Sequence, residues 1–336
     1  MAGVRVVIYG VGAVGGVVAA ALAQAGHEVI GIARGAQLAA LQAGPLRLRA
    51  VDGVTEVPVP CIADPAEIGF RPGDLILLTM KTQDCLDALH RLRLAGLRDQ
   101  PIFCLQNGIA NEPMALRLFP NVHGVTVMMP AAFTDPGEVL CHGTPRLGLF
   151  DIGRFPAGSD ADDTRLAALF DTARMAGFVH RDVMASKRGK LLVNLGNCLE
   201  AAVGRGADRG DFPARVRAEG EAVFRAAGLA WDDVGMDDPR RKNLMQMGEI
   251  PGTTRFGGST SQSLLRGTGR VETDYLNGEV AYLGRLHGVD TPVNAFLTWL
   301  GAALATARVP PGHLDLAGLE ALFADWAGGR AAALPV

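Results

Sequence analysis

The chain has 336 residues, more than a single typical core, and 49% of them are hydrophobic, enough to bury a substantial interior. Its net charge of -3 gives no basic footprint for a nucleic-acid partner. Five widely spaced cysteines without a C-x-x-C pair, and seven histidines without an H-E-x-x-H, argue against a disulfide frame or a metal site and for reduced thiols in a cytoplasmic protein.

An apolar run from Val6 to Tyr9 leads into Gly10-Val11-Gly12-Ala13-Val14-Gly15, then into an alanine-rich stretch closed by Gly26 and a second strand from Glu28 to Ala33. Strand, glycines, helix and strand in that order make a dinucleotide fingerprint. Gly10 supplies the tight turn, Gly12 lets the backbone approach a pyrophosphate, and Gly15 permits close packing of helix on strand. The pyrophosphate then sits on the helix N-terminus. The uncharged stretch from Val6 to Gly26 also imitates a secretory or membrane segment. Against that, the glycines keep fingerprint spacing, the start has no clustered basic region, and cleavage near Ala21 would delete the first strand, so no membrane partner is expected.

The end of the second strand reads Ala33-Arg34-Gly35, where an NAD-binding fold carries an acid for the ribose hydroxyl. Without that carboxylate a 2′-phosphate is accommodated, and Arg34 offers it a fork of donors, so NADP (NADPH) is the expected cofactor. The plainer reading of Arg34 is a solvated residue at a strand end.

Leu75 to Met80 and Ile102 to Leu105 read as buried parallel strands. Ligands of open α/β sheets gather outside the carboxyl ends of strands, which singles out Lys81 after the first run and Asn107-Gly108 after the second. Val125 to Met129, Glu138 to Cys141 and Arg146 to Phe150 read as the later, antiparallel part of the same sheet, joined by turns at Asp135-Pro136-Gly137 and Gly143-Thr144-Pro145. A helix follows from about Asp162 to Ala176, and from Ser186 onward the pattern is mainly helical. The domain boundary therefore falls near Asp182: 1–182 is an NADP-binding Rossmann-type domain, and 183–330 a helical substrate and catalytic domain. The fold class is α/β, a Rossmann-type dinucleotide-binding domain followed by a mainly α-helical one.

The second domain opens with Lys190-Leu191-Leu192-Val193-Asn194-Leu195-Gly196-Asn197-Cys198. On a helix Lys190, Asn194 and Asn197 share one stripe, an unusual polar set amid leucines. Arg240-Arg241-Lys242 reads as a solvated loop, within a stretch from Gly235 to Gly258 whose glycines and prolines permit movement. Ser259-Thr260-Ser261-Gln262-Ser263 precedes a helical segment from Val271 to Glu279, where Glu272 by itself passes for a solvent-facing acid.

Taken together, the glycine fingerprint, Lys81, Asn107-Gly108, the Lys190-x-x-x-Asn194 helix and Glu272-x-Asp274-Tyr275-Leu276-Asn277-Gly278 resemble the 2-dehydropantoate 2-reductases, or ketopantoate reductases, over nearly the whole chain. The resemblance implies a Rossmann domain followed by a helical domain, with substrate between them. It implies Lys190 as the catalytic general acid, Glu272 as a catalytic residue that also binds substrate, and Asn194 as a further group that holds it. Arg34 and Lys81 then belong to the NADP phosphate region and Asn107 to the nicotinamide end, with Ala132 a further cofactor contact. Two positions depart from the family pattern. Its second asparagine, four residues beyond Asn194, is Cys198 here, with Asn197 one place early as a substitute. Its serine in Ser-x-x-Gln is matched by Ser259 with Gln262, while counting back from Glu272 lands on Thr260; Ser259 is taken. The expected function is NADPH-dependent reduction of ketopantoate to pantoate. The alternatives are a reductase of another 2-oxo acid and a non-catalytic NADP sensor. A homodimer is expected by analogy alone.

Overall fold

The computed structural model describes residues 4–133, 135–235, 238–253 and 257–334. The chain packs as two compact units, Met1–Lys187 with Asp233–Thr253, and Arg188–Asp232 with Thr254–Val336. The first unit thus continues a little past Asp182 into a helix and takes back a later segment.

In chain order the first unit begins with β1 (Arg5–Tyr9), α1 (Ala13–Gln24), β2 (Glu28–Ile32), α2 (Gly35–Ala43), β3 (Leu46–Ala50), β4 (Gly53–Val57), β5 (Cys61–Ile62) and β6 (Leu75–Leu78). It continues with α3 (Cys85–Leu94), β7 (Ile102–Cys104), α4 (Asn111–Leu116), β8 (Val122–Met128), β9 (Ala131–Ala132), β10 (Glu138–Cys141) and β11 (Gly143–Pro145). After these come β12 (Leu149–Arg154), α5 (Ala161–Thr172), β13 (Ala176–Val179) and the start of α6 (Val183–Asn194).

The main sheet has eight strands in the order β13-β12-β8-β7-β6-β1-β2-β5. The six from β8 to β5 run parallel, and β12 joins β8 antiparallel. Alternate residues of these strands enter different cores, because both faces are covered. Val6, Ile8, Leu75, Leu77 and Phe103 pack with α1 and α5, whereas Val7, Ile76, Leu78 and Ile102 pack with α3 and α4. The chain leaves β1 with β2 on one side and β6 on the other, so the sheet's switch point lies at the carboxyl end of β1.

The later strands do not all join this sheet. Glu138–Cys141 belongs to a separate four-stranded sheet, β4-β3-β10-β9, and runs parallel to β3. Gly143–Pro145 pairs instead with β14 (Met245–Met247) of the returning segment. The physical reason is α1: it is apolar on every side and lies between the two sheets, in one core with Leu46, Leu48, Val139 and Cys141. Gly16 makes the approach tight, since a Cβ there would come within 2.6 Å of Val139 Cγ1. The uncharged run from Val6 to Gly26 is therefore a buried strand and a sandwiched helix. Among the described residues no helix is long and apolar enough to cross a membrane.

The returning segment carries regular structure in its described residues. It holds α9 (Pro239–Leu244) and β14, and Arg240 is not a solvated loop residue. Its guanidinium reaches Asp151 Oδ1 at 2.5 Å and Asp238 Oδ2 at 2.7 Å, and lies 4.8 Å from the centre of the Phe178 ring. Residues 236–237 and 254–256 of the stretch read as a movable loop lie outside the described residues.

The second unit is helical: the end of α6, then α7 (Asn197–Val203), α8 (Phe212–Ala226), α10 (Ser259–Leu265), α11 (Asn277–His287), α12 (Pro292–Ala307) and α13 (Leu316–Ala327). The motif read as one helix is two, since α6 stops at Asn194 and α7 starts at Asn197. Asn and Gly are weak helix formers, and the break falls at Leu195-Gly196. The Leu195 carbonyl accepts from Asn277 Nδ2 at 3.1 Å, and Asn277 in turn meets Asn294 Oδ1 at 3.1 Å. Asn277 of the Glu272 motif is thus a brace for the break.

Candidate active site

In the first unit the glycine turn is built for close approach. Gly10 has φ 107°, and an added Cβ would lie 2.6 Å from the Met80 backbone nitrogen, so only glycine fits. Gly15 abuts the Gly10 carbonyl and Thr79 Oγ1, while Thr79 Oγ1 donates to the Gly10 carbonyl at 2.8 Å. Gly12 is different: a Cβ there would meet nothing within 4 Å. It leaves a hollow beside a helix that begins without a side-chain cap or an acid in its first turn. A helix N-terminus beside an open glycine suits a pyrophosphate in chemistry and in shape. Gln37, which the sequence did not single out, steadies this turn. Its Nε2 donates to the Val11 carbonyl at 3.0 Å, and its Oε1 accepts from Gly137 N at 2.7 Å.

Arg34 lies at the end of β2 with its side chain 80% exposed, and its Nη2 meets Asp84 Oδ2 at 2.8 Å. Asp84 closes a short 3-10 turn, Thr82–Asp84, that begins at Lys81, and its N–H donates to the Lys81 carbonyl at 2.9 Å. The fold therefore joins Arg34 to the Lys81 turn through Asp84, an acid that sequence reasoning missed because it is distant in the chain. Asn107 is half-buried just beyond β7, before Gly108 at φ 81°. Its carbonyl accepts from Asn111 Nδ2 at 3.4 Å, and that amide also donates to Thr82 Oγ1 at 3.2 Å. Ala132 is buried in β9, in the four-stranded sheet.

In the second unit Lys190 and Asn194 share one face of α6, four residues apart. Asn194 is buried, and its Nδ2 finds no hydrogen-bond partner among the described residues. Asn197, displaced from that stripe by the break, approaches the turn before Ser259: a Cβ on Gly258 would come within 3.1 Å of Asn197 Oδ1. Glu200 holds the same turn, accepting from Gly258 N. Ser259 opens α10 half-buried, whereas Thr260 is 2% exposed. Cys198 points elsewhere. It is buried, its Sγ donates to the Leu297 carbonyl at 3.3 Å, and burial pushes its thiol up to about 12. Glu272 is buried rather than solvent-facing, immediately before the short turn Thr273–Tyr275. Burial pulls the Arg266 guanidinium below its usual range, an effect that the charge of Glu272 partly offsets.

Among the described residues His123, Asp160 and Asp163 lie close enough to suggest a metal site. Their atoms are engaged otherwise: His123 meets Asp163 at 2.7 Å and Asn121 at 2.9 Å, and Asp160 caps α5 while accepting from Arg154 at 2.8 Å. The group is a helix-capping network.

A glycine hollow at the switch point of a parallel sheet, in a chain that continues into helices carrying a lysine and a buried amide, defines a two-domain dinucleotide-binding oxidoreductase. Comparison with known proteins narrows the class. Residues 6–156 match the family model "Ketopantoate reductase PanE/ApbA", and residues 182–305 its C-terminal counterpart. The 2-dehydropantoate 2-reductase of Pyrococcus horikoshii is 28% identical over 88% of this chain and 95% of its own length. That of Caulobacter vibrioides is 30% identical over 89% and 99%. The solved PanE/ApbA family ketopantoate reductase from Ralstonia eutropha JMP134 has a TM-score of 0.74 at 30% identity, covering 90% of this chain and 99% of that one. A ternary structure of D-mandelate dehydrogenase with NADH and anilino(oxo)acetate has the same fold, with a TM-score of 0.75 at 23% identity over 90% and 99%. This chain belongs to the ketopantoate reductase family of oxidoreductases.

Proposed function

We propose that the protein reduces 2-dehydropantoate (ketopantoate) to pantoate with NADPH. The observation that carries this reading is the polar face of α6. Asn194 Nδ2 is a buried donor without an acceptor among the described residues, one turn after Lys190, and a buried donor left unmade is costly unless a ligand completes it. A substrate oxygen is such an acceptor.

Bound NADPH supplies the hydride. As the carbonyl carbon accepts it, the substrate oxygen becomes alkoxide-like, and the Lys190 ammonium stabilises that charge and then transfers its proton to the oxygen. Arginine would stabilise but would not readily give up the proton. Asn194 orients the substrate by donating to it, and Glu272, Asn197 and Ser259 complete its polar contacts. Gly10, Gly12 and Gly15 admit the pyrophosphate, Arg34 and Lys81 hold the 2′-phosphate region, and Asn107 takes the nicotinamide end, with Ala132 a further cofactor contact. A reductase of another 2-oxo acid is the second reading, favoured by one observation: Cys198 faces the core where the family pattern has a second asparagine.

The test of the chemistry is Lys190→Ala. Turnover is expected to fall by a factor of about a hundred or more, the range of a general acid, while NADPH affinity stays within about twofold. Retained turnover would remove Lys190 as the acid.

A further inference from the structure

Lysine is among the residues least often buried, yet Lys187, one turn before Lys190 on α6, is 2% exposed. Its Nζ lies 2.5 Å from Oε1 of Glu112 on α4, itself fully buried. The same ammonium reaches the carbonyls of Gln106 at 2.9 Å, Cys104 at 3.2 Å and Val125 at 3.5 Å. Gly124 on β8 makes room for this arrangement, because an added Cβ would lie 3.3 Å from Lys187 Cδ and 3.5 Å from Glu112 Oε1.

Stability alone does not account for the pair, since a buried ion pair is often no better than two well-packed apolar side chains. Its partners say more. Cys104 ends β7, and Gln106 directly precedes Asn107, so one cation gathers the carbonyls on both sides of Leu105 and fixes the backbone that leads into the Asn107 turn. From the other side Asn111, next to Glu112, donates to the carbonyl of Asn107 itself. The turn is held at its start by the lysine and at its end by the first turn of the helix that carries the glutamate.

We propose that Lys187 and Glu112 form a positioning pair for the nicotinamide end of the cofactor site, locking the backbone from Gln106 to Asn107. This rests on the reading of Asn107 given above. Neither residue is a proton donor in the reaction, and their effect runs through the turn.

The experiment compares the full-length wild type with Lys187→Met/Glu112→Leu, which removes both charges together, and with the nearly isosteric Glu112→Gln, which serves if the double variant does not fold. Thermal midpoint, Kd for NADPH and Kd for adenosine 2′,5′-bisphosphate are measured; the last carries only the adenosine half of the cofactor. The expected result is a folded variant with unchanged affinity for the bisphosphate and NADPH binding weakened by about tenfold. Unchanged NADPH affinity, or equal weakening of both ligands, would overturn the proposal by leaving the pair a general structural element. A wild type that binds neither ligand would instead overturn the cofactor reading on which it rests.

Discussion

In the proposed function, cofactor choice turns on Arg34. Its guanidinium already meets Asp84, but it is 80% exposed, and an ion pair in water contributes little. A 2′-phosphate can therefore take over the arginine at small cost, and in return accepts two parallel hydrogen bonds from it. Arg34→Ala is expected to raise KM for NADPH by about tenfold or more while leaving KM for NADH nearly unchanged. Equal changes for the two cofactors in steady-state assays would contradict the assignment. Cys198 gives the opposite kind of prediction. Because its thiol lies in the core against the Leu297 carbonyl, Cys198→Asn restores the family pattern but introduces amide donors where α12 packs. Urea unfolding should show a loss of about 1–3 kcal/mol, the range for an unsatisfied buried polar group, with no gain in ketopantoate turnover. A variant as stable as wild type with a higher kcat/KM would show that position 198 reaches the substrate.

Among the elements, the break between α6 and α7 is braced by a side chain distant in the chain. Asn277 donates to the Leu195 carbonyl that the interrupted helix leaves exposed, and Asn294 anchors Asn277. Asn277→Ala should destabilise the protein by about 1–3 kcal/mol in denaturant melts and also lower kcat, because the break sets where Asn194 and Asn197 stand. Loss of stability with unchanged kcat would make the brace purely structural. The pieces legible in the sequence were those whose demands are local. Gly10 needs its φ and Gly15 its close approach to the Gly10 carbonyl within the turn itself, and Leu75–Leu78 is apolar throughout because both its faces are covered. The break was also legible in part, since Asn194, Gly196 and Asn197 are weak helix formers placed together. What remained hidden depends on partners far away in the chain. β3 pairs with β10 across most of the domain, β14 is three residues long, and Arg240 looks like a surface charge until Asp151 is brought to it. Lys187 and Glu112 carry no spacing signal that links them.

At the scale of the whole molecule, the charge balance sets a condition on function. The chain carries a net charge of -3, while NADPH and a 2-oxo acid are both anions, so long-range attraction does not gather them. In the proposed function local cations do so: Arg34 and Lys81 beside the strand ends of the first unit, and Lys190 among the helices of the second. The measurement that tests this most directly is steady-state oxidation of NADPH by the purified protein with ketopantoate, beside a panel of other 2-oxo acids. A selective rate with ketopantoate that is supported far better by NADPH than by NADH is the predicted result. A faster rate with a different 2-oxo acid would contradict the substrate assignment, and no oxidation with any member of the panel would contradict the assigned reaction itself.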